Sequence, residues 1–181
     1  NLIETNEKIV IYQGGINVRL DFNLLKNLIK KLHDWTFYFC GNEDNTIKDW
    51  QEIKDHKRVK YFGGLEIREL GEIMMKSTVG IIPYNQDEII YKSFPLKSFE
   101  YISCGLPVVT IPIKSLEDKN KNNNVFQFAK NADAFAKEIE KAYTTRYDKK
   151  MLELRKKVSF ENSYDNRFKQ VKNILLYSTK Y

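Results

Sequence analysis

Lys97 and Glu100 stand three residues apart in Pro95-Leu-Lys-Ser-Phe-Glu100, and they carry the sharpest chemical pattern in the sequence. Residues at that spacing are neighbours on a helix surface. A carboxylate held there can accept hydrogens from two hydroxyls of a ribose, while Lys97, or Lys92 just before it, balances phosphate charge. Pro95 suits the first turn of a helix. The free amides and dipole of that helix start then face outward, ready for a phosphate. A second candidate lies near the beginning, in Gln13-Gly-Gly-Ile-Asn-Val-Arg-Leu-Asp21. Gly14 and Gly15 let the backbone come close to a ligand, and Arg19 can pair with phosphate through two parallel hydrogen bonds. The plainer alternatives are a tight turn, a solvated loop arginine and an ordinary surface glutamate. The turn is not GxGxxG and no P-loop follows, so nicotinamide and ATP sites have no motif here.

Little else offers reactive chemistry. Cys40 and Cys104 form neither a CxxC pair nor a disulfide framework. They read as small buried apolar residues in a reducing cytoplasm. His33 and His56 share no metal-ligand spacing with each other or with the cysteines, so neither a metal nor a cofactor is expected. There is no Asn-x-Ser/Thr acceptor and no signal-peptide pattern. The sequence starts at Asn1 rather than Met, which suggests a fragment cut at a domain boundary.

The 181 residues fit one domain, long enough to bury a core. Eleven Phe and eleven Tyr argue against disorder. No apolar run approaches the ~18–20 residues of a membrane span. The net charge of +6 hints at nucleic acid, but it is local. Residues 1–140 hold 19 Lys+Arg against 20 Asp+Glu, and residues 141–181 hold 11 against 4. The body is neutral, the tail is basic, and no nucleic-acid motif accompanies it, so no nucleic-acid partner is expected.

The candidate residues are punctuated by short apolar runs and helical periods. Strands are expected at 8–13, 35–40, 59–62, 79–82, 107–111 and 125–128, several ended by glycine. Asp21 is a fair N-cap for a helix carrying Leu24, Leu25, Leu28, Ile29 and Leu32 inward. A short helix is expected over 47–54, and an amphipathic one carrying Ile67, Leu70, Ile73 and Met74. Another covers Leu96 to Cys104, with Gly105 as its stop. The stretch from Pro83 to that helix reads as a long loop, and so does Lys114 to Asn124. Three helices close the chain, at about 131–143, 148–158 and 163–177, the last striped by Tyr164, Phe168, Val171 and Leu175. Strands alternating with helices, apolar almost throughout, mean βαβ units. The expected fold is an α/β, doubly wound, Rossmann-like parallel sheet of about six strands with helices on both faces. Ligands of such sheets bind beyond the carboxyl ends of the strands.

The run Pro95-Leu-Lys-Ser-Phe-Glu-Tyr-Ile-Ser-Cys-Gly-Leu-Pro-Val-Val109 resembles the P-x-K-x-x-E-Y-x-x-x-G-x-P-V-V pattern of GT-B glycosyltransferases of the family 4-like group. The likeness extends over most of the chain. Tyr12 to Asp21 is similar to the family's Y-x-G…R-L-D opening, and Asp34 to Gly41 to its P-D-W-x-F-x-x-x-G strand. Val59 to Gly63 is like N-V-x-x-x-G, Thr78 to Tyr84 like D-V-x-I-I-P-Y, and Asn162 to Phe168 like N-S-W-x-x-R. Two positions depart from the pattern. Lys92 stands where many members carry a Glu eight residues before the one matched by Glu100. The usual Lys about five residues after the match to Arg19 is also absent.

The resemblance implies one half of a GT-B fold, a C-terminal domain binding a nucleotide-sugar donor, with an N-terminal acceptor domain outside this chain. By motif match, Glu100 would bind the ribose hydroxyls. Ser93, Phe94, Pro95 and Leu96 would surround the diphosphate, Lys97 and Arg19 would give it positive charge, and Tyr61, Phe62 and Gly63 would border the base. The intact enzyme would pass a hexose from a UDP- or GDP-sugar to a saccharide or lipid-linked acceptor, retaining configuration, in polysaccharide or glycoconjugate biosynthesis. The chain alone would be inactive. The alternatives are a GT-B-like sugar-nucleotide epimerase and a non-enzymatic nucleotide-binding module. The basic segment 145–181 reads as a solvated helix face, or as one that packs on the N-terminal domain or touches an anionic membrane at the cytoplasmic face.

Overall fold

The computed structural model describes residues 6–121 and 123–178, with the side chains of 174–178 left out, so Leu175 of the terminal stripe lies outside the described side chains. The strands are β1 (Ile9–Gln13), β2 (Thr36–Cys40), β3 (Val59–Tyr61), β4 (Val79–Ile82), β5 (Val108–Thr110) and β6 (Phe126–Phe128). Each falls within one residue of its expected bounds. The helices are α1 (Phe22–Lys31), α2 (Lys48–Lys54), α3 (Ile67–Lys76), α4 (Glu88–Tyr91), α5 (Lys97–Ser103), α6 (Lys114–Asn120), α7 (Ala132–Thr144), α8 (Lys149–Glu161) and α9 (Tyr164–Ser178).

The sheet is parallel throughout, in the order β3-β2-β1-β4-β5-β6. Strand order reverses between β1 and β4, and the crevice of such a doubly wound sheet opens at that switch point. β1 and β4 are buried at every residue, so their continuous apolar runs need cover on both faces. Right-handed crossovers place the helices there. α1 packs against α2 and α7 on one side, and α5 packs against α8 on the other.

Sequence-local signals explain four of the helix starts. The Asp21 carboxylate accepts from the Leu24 amide at 2.8 Å, Asp87 from Ile90 at 2.7 Å, Asn131 from Ala134 at 2.9 Å and Asp148 from Met151 at 2.8 Å. Longer-range ties fix the layers. Lys8 bridges Asp34 and Glu140, and Glu140 also accepts from the Trp35 indole at 2.7 Å, which joins the start of β1 to α7.

Three expectations are corrected. Lys114 to Asn124 is not all loop, because 114–120 forms α6. Ion pairs from Asp118 to Lys114 and Lys121 support that helix, and Asn120 holds the Phe126 backbone at both N–H and C=O, at 2.9 and 2.8 Å. The stretch after Pro83 contains the single turn α4, capped by Asp87. Ile67 does not face the core; it is 87% exposed, and Met74 is the buried residue of α3.

The approach of α5 to the sheet is set by Tyr101. Its ring lies over Gly80 of β4, where an added Cβ would come within 2.6 Å of a ring carbon. Its hydroxyl accepts the Gln13 amide at 2.7 Å, closing the end of β1. Gly80→Ala should therefore lower stability by about 1–3 kcal/mol through overpacking. Urea unfolding should show this as a lower midpoint at unchanged slope.

Candidate active site

The carboxyl ends of β1, β2 and β3 are joined by glycine corners. The Gly14 amide donates to the Cys40 carbonyl at 2.8 Å, and the Gly41 amide to the Gly63 carbonyl at 2.6 Å. Gly14 and Gly41 have φ of 119° and 136°, which side chains rarely adopt. A Cβ on Gly41 would also stand 2.2 Å from the Gly14 carbonyl oxygen. The corners enclose a cavity of about 310 Å³, lined by Gln13, Gly14, Gly15, Gly41, Asn42 and Gly64 among others.

α5 brings its chemical groups to the same place. The Lys97 ammonium lies 4.1 Å from the Tyr12 ring centre and 5.0 Å from that of Tyr84, and donates to the Tyr12 hydroxyl at 3.0 Å. The Tyr12 hydroxyl donates in turn to the Gly15 carbonyl at 2.9 Å, so Lys97, Tyr12 and the glycine turn form one chain of hydrogen bonds. A Cβ on Gly14 would stand 2.5 Å from the Lys97 nitrogen. Burial pushes the Lys97 pKa down to about 7, with the Arg19 charge adding to the fall and Glu100 opposing it. Burial likewise raises the Tyr12 and Tyr84 hydroxyls, which stay protonated.

Glu100 stands exposed at the mouth of the cleft, and the Gln13 side-chain amide donates to its carboxylate. The glutamate is thus tethered at one oxygen with acceptor capacity left over. Ser93, Phe94 and Pro95 lead into α5. The Leu96 and Lys97 amides precede the hydrogen bonds of its first turn, which begin with Ser98 donating to the Pro95 carbonyl at 3.1 Å. Phe94 stacks on Phe99 with ring centres 5.1 Å apart, and the Arg167 guanidinium covers it at 3.9 Å.

The structure therefore brings Gly14, Gly15, Lys97 and Glu100 together, with Arg19 exposed nearby and acting on Lys97 through its charge. Lys92 is placed apart, on the solvent side of α4, in an ion pair with Glu88. Tyr61 points inward. Its ring meets Trp50 edge-on and its hydroxyl donates to the Gly41 carbonyl at 3.0 Å. Phe62 packs edge-on against Tyr38, and Gly63 supports Gly41. Gln13, Tyr12, Tyr84 and Asn42 were missed from sequence. Only the end of the apolar run of β1, which puts Gln13 at its carboxyl end, signals any of them. Cys40 is buried with its thiol pushed up to about 11, and burial also raises Cys104, so neither is a ready nucleophile. Cys104 is half-buried rather than fully enclosed. Among the described residues, no three His, Cys, Asp or Glu gather to hold a metal ion.

A family model described as Glycosyl transferases group 1 matches residues 7–145. TuaH of Bacillus subtilis (strain 168), a glycosyltransferase assigned to teichuronic acid biosynthesis, is 27% identical over 175 residues, 94% of this chain and 44% of TuaH. The chain thus spans less than half the length of that relative. Among solved structures, sucrose-phosphate synthase from Thermosynechococcus elongatus superposes with a TM-score of 0.72 at 19% identity, over 97% of this chain and 47% of that one. An S. aureus TarM variant in complex with fondaparinux, α-GlcNAc-glycerol and UDP gives 0.67 at 18% identity, over 94% and 35%. Both likenesses are likenesses of fold.

Lys97 makes a prediction of its own. Its folded pKa of about 7 lies below the 10.5 of the free side chain. Between these values the unfolded chain holds a proton that the folded chain lacks, so stability rises with pH. Chemical unfolding from pH 7.5 to 9.5 should show that rise, and Lys97→Met should flatten it.

Proposed function

The chain belongs to the group 1 glycosyl transferases of GT-B fold, and from that premise we propose that it is the half of such an enzyme that binds a nucleotide-diphosphate sugar. The observation that carries this reading is the buried Lys97 amine at the Gly14-Gly15 turn, three residues from an exposed and tethered Glu100. The diphosphate lies over the turn and the start of α5, against Lys97 and Arg19. The ribose hydroxyls donate to Glu100. The base occupies the cavity between the glycine corners and α3. The TarM variant, alike in fold, is in complex with UDP, which supports a nucleotide as the kind of ligand.

In the intact enzyme the remaining half supplies the acceptor site. The reaction breaks the bond between the sugar and the diphosphate, and negative charge builds on the leaving oxygen. Lys97, Arg19 and the amides at the start of α5 are the groups that stabilise it, a large term in a site that excludes water. The acceptor is a saccharide or lipid-linked glycan of polysaccharide or glycoconjugate biosynthesis, in line with the assignment of TuaH to teichuronic acid. The sugar is transferred with retention of configuration.

Calorimetry with UDP and GDP tests the site. One of the two should bind, and Glu100→Ala should weaken it about tenfold, the ~1.4 kcal/mol expected for losing a charged hydrogen bond. Binding by neither diphosphate at millimolar concentration, with Glu100→Ala indistinguishable from the parent, would reject the reading. The diphosphate should also recharge Lys97. Titrations at pH 8 in buffers of different ionisation heat should show proton uptake, which Lys97→Met abolishes.

A further inference from the structure

The segment Asn162 to Phe168 lies outside the donor site, yet one of its side chains reaches the residues that lead into α5. The Arg167 guanidinium lies 3.9 Å from the Phe94 ring centre and 5.5 Å from that of Phe99. Those two rings are stacked, 5.1 Å apart and 6° from parallel, so the cation rests against both members of the pair. Phe99 in turn meets Phe126 of β6 edge-on at 5.9 Å. Phe94 is thus tied through Phe99 to the core and through Arg167 to α9.

The guanidinium is itself fixed. Its Nε donates to the Asn162 carbonyl at 3.1 Å, and one Nη donates to the Asn162 side-chain oxygen at 3.3 Å. Asn162 is buried, and its own amide donates to the Val158 carbonyl at 2.7 Å. The corner between α8 and α9 therefore brackets the arginine in one place. The segment before α5 is tied at its other end as well. The Ser93 hydroxyl donates to the Ile90 carbonyl at 2.7 Å, and the Ser93 carbonyl accepts from Ser115 of α6 at 2.8 Å. Ser93 and Phe94 are fixed from opposite sides, and the free amides of Leu96 and Lys97 follow directly.

We infer that Arg167 is a positioning residue of the donor site. Acting through Phe94, it holds the start of α5 where the Leu96 and Lys97 amides meet the diphosphate. This inference rests on the donor-site reading. The planar shape of the side chain matters here as well as its charge. A guanidinium can grip Asn162 with two N–H groups and still lay its face on a ring, which a lysine ammonium cannot do. Glu100, which takes the ribose in that reading, stands further along α5. The phosphate farther from the ribose is then the one nearest the helix start.

Calorimetry on the intact enzyme tests this with UDP, GDP and the matching monophosphates. Arg167→Ala should weaken the diphosphate about fivefold and the monophosphate less than about twofold, because the rest of the site is undisturbed. Arg167→Lys keeps the charge without the plane and should weaken the diphosphate as Arg167→Ala does. Phe94→Tyr keeps the ring and should bind like the parent, whereas Phe94→Leu should match Arg167→Ala. Joining Arg167→Ala to Phe94→Leu should cost no more than either alone, while joining it to Glu100→Ala should multiply the two losses. Parent-like affinity in Arg167→Lys overturns the inference, since charge alone would then suffice. An equal fall for monophosphate and diphosphate also overturns it, as the substitution would then disturb the site as a whole. Unchanged diphosphate binding in Arg167→Ala overturns it and leaves the donor-site reading standing. Binding of neither diphosphate by the parent rejects the donor-site reading, and this inference falls with it.

Discussion

The closeness of α5 to the end of β1 is the constraint on which the ligand edge rests. Three side chains of that short helix reach the strand or its turn. Lys97 meets Gly14 and Tyr12, Glu100 meets Gln13, and Tyr101 meets the Gln13 amide while lying on Gly80. They stand at relative positions zero, three and four, the spacing that presents one helix face. The absence of a Cβ at Gly14 and Gly80 lets that face approach. With bulk at Gly80 the ring moves out, the Gln13 amide loses its partner, and the lysine and glutamate move with the helix. Chemistry and packing at this site are therefore two readings of the same contacts.

The glycine corners extend the constraint sideways. Gly14 donates to the end of β2 and Gly41 donates to the Gly63 carbonyl just beyond β3, so the three turns stack as a shelf of backbone. Tyr61 braces the shelf from below through the Gly41 carbonyl. A shelf made of backbone offers amides and room rather than side-chain specificity. Such a surface suits the part of a ligand that is common to many donors and leaves discrimination among sugars to other residues.

The strands were legible because a strand buried on both faces must be an unbroken apolar run, as Ile9 to Tyr12 and Val79 to Ile82 are. The pairing of Lys97 with Glu100 was legible because helical spacing is local. What escaped needed tertiary knowledge. Gln13 meets Glu100 across 87 residues, and Tyr84 meets Lys97 across the crevice, contacts that no local pattern encodes. Lys92 is only five residues from Lys97, yet the turn of α4 sends it to solvent beside Glu88. α6 looked like a loop because Lys and Asn dominate it. Its helix is held from outside, by Asn120 clasping β6. Ile67 satisfied the helical period and still faces outward, since periodicity marks a face without saying what covers it.

The surroundings of Lys97 do little to stabilise a positive charge. Lys97 is enclosed by two tyrosine rings, and its nearest carboxylate, Glu100, is shared with Gln13 and open to water. Arg19 adds a second positive charge nearby. The amine therefore gives up its proton near neutrality rather than bearing an unpaired charge in a poorly solvating place. A neutral ligand offers it nothing. In the donor site proposed above, a diphosphate would supply negative charge, and the more negative the ligand, the more completely the amine would be recharged. The same enclosure that disfavours the ammonium when the site is empty strengthens its pairing once an anion is in place.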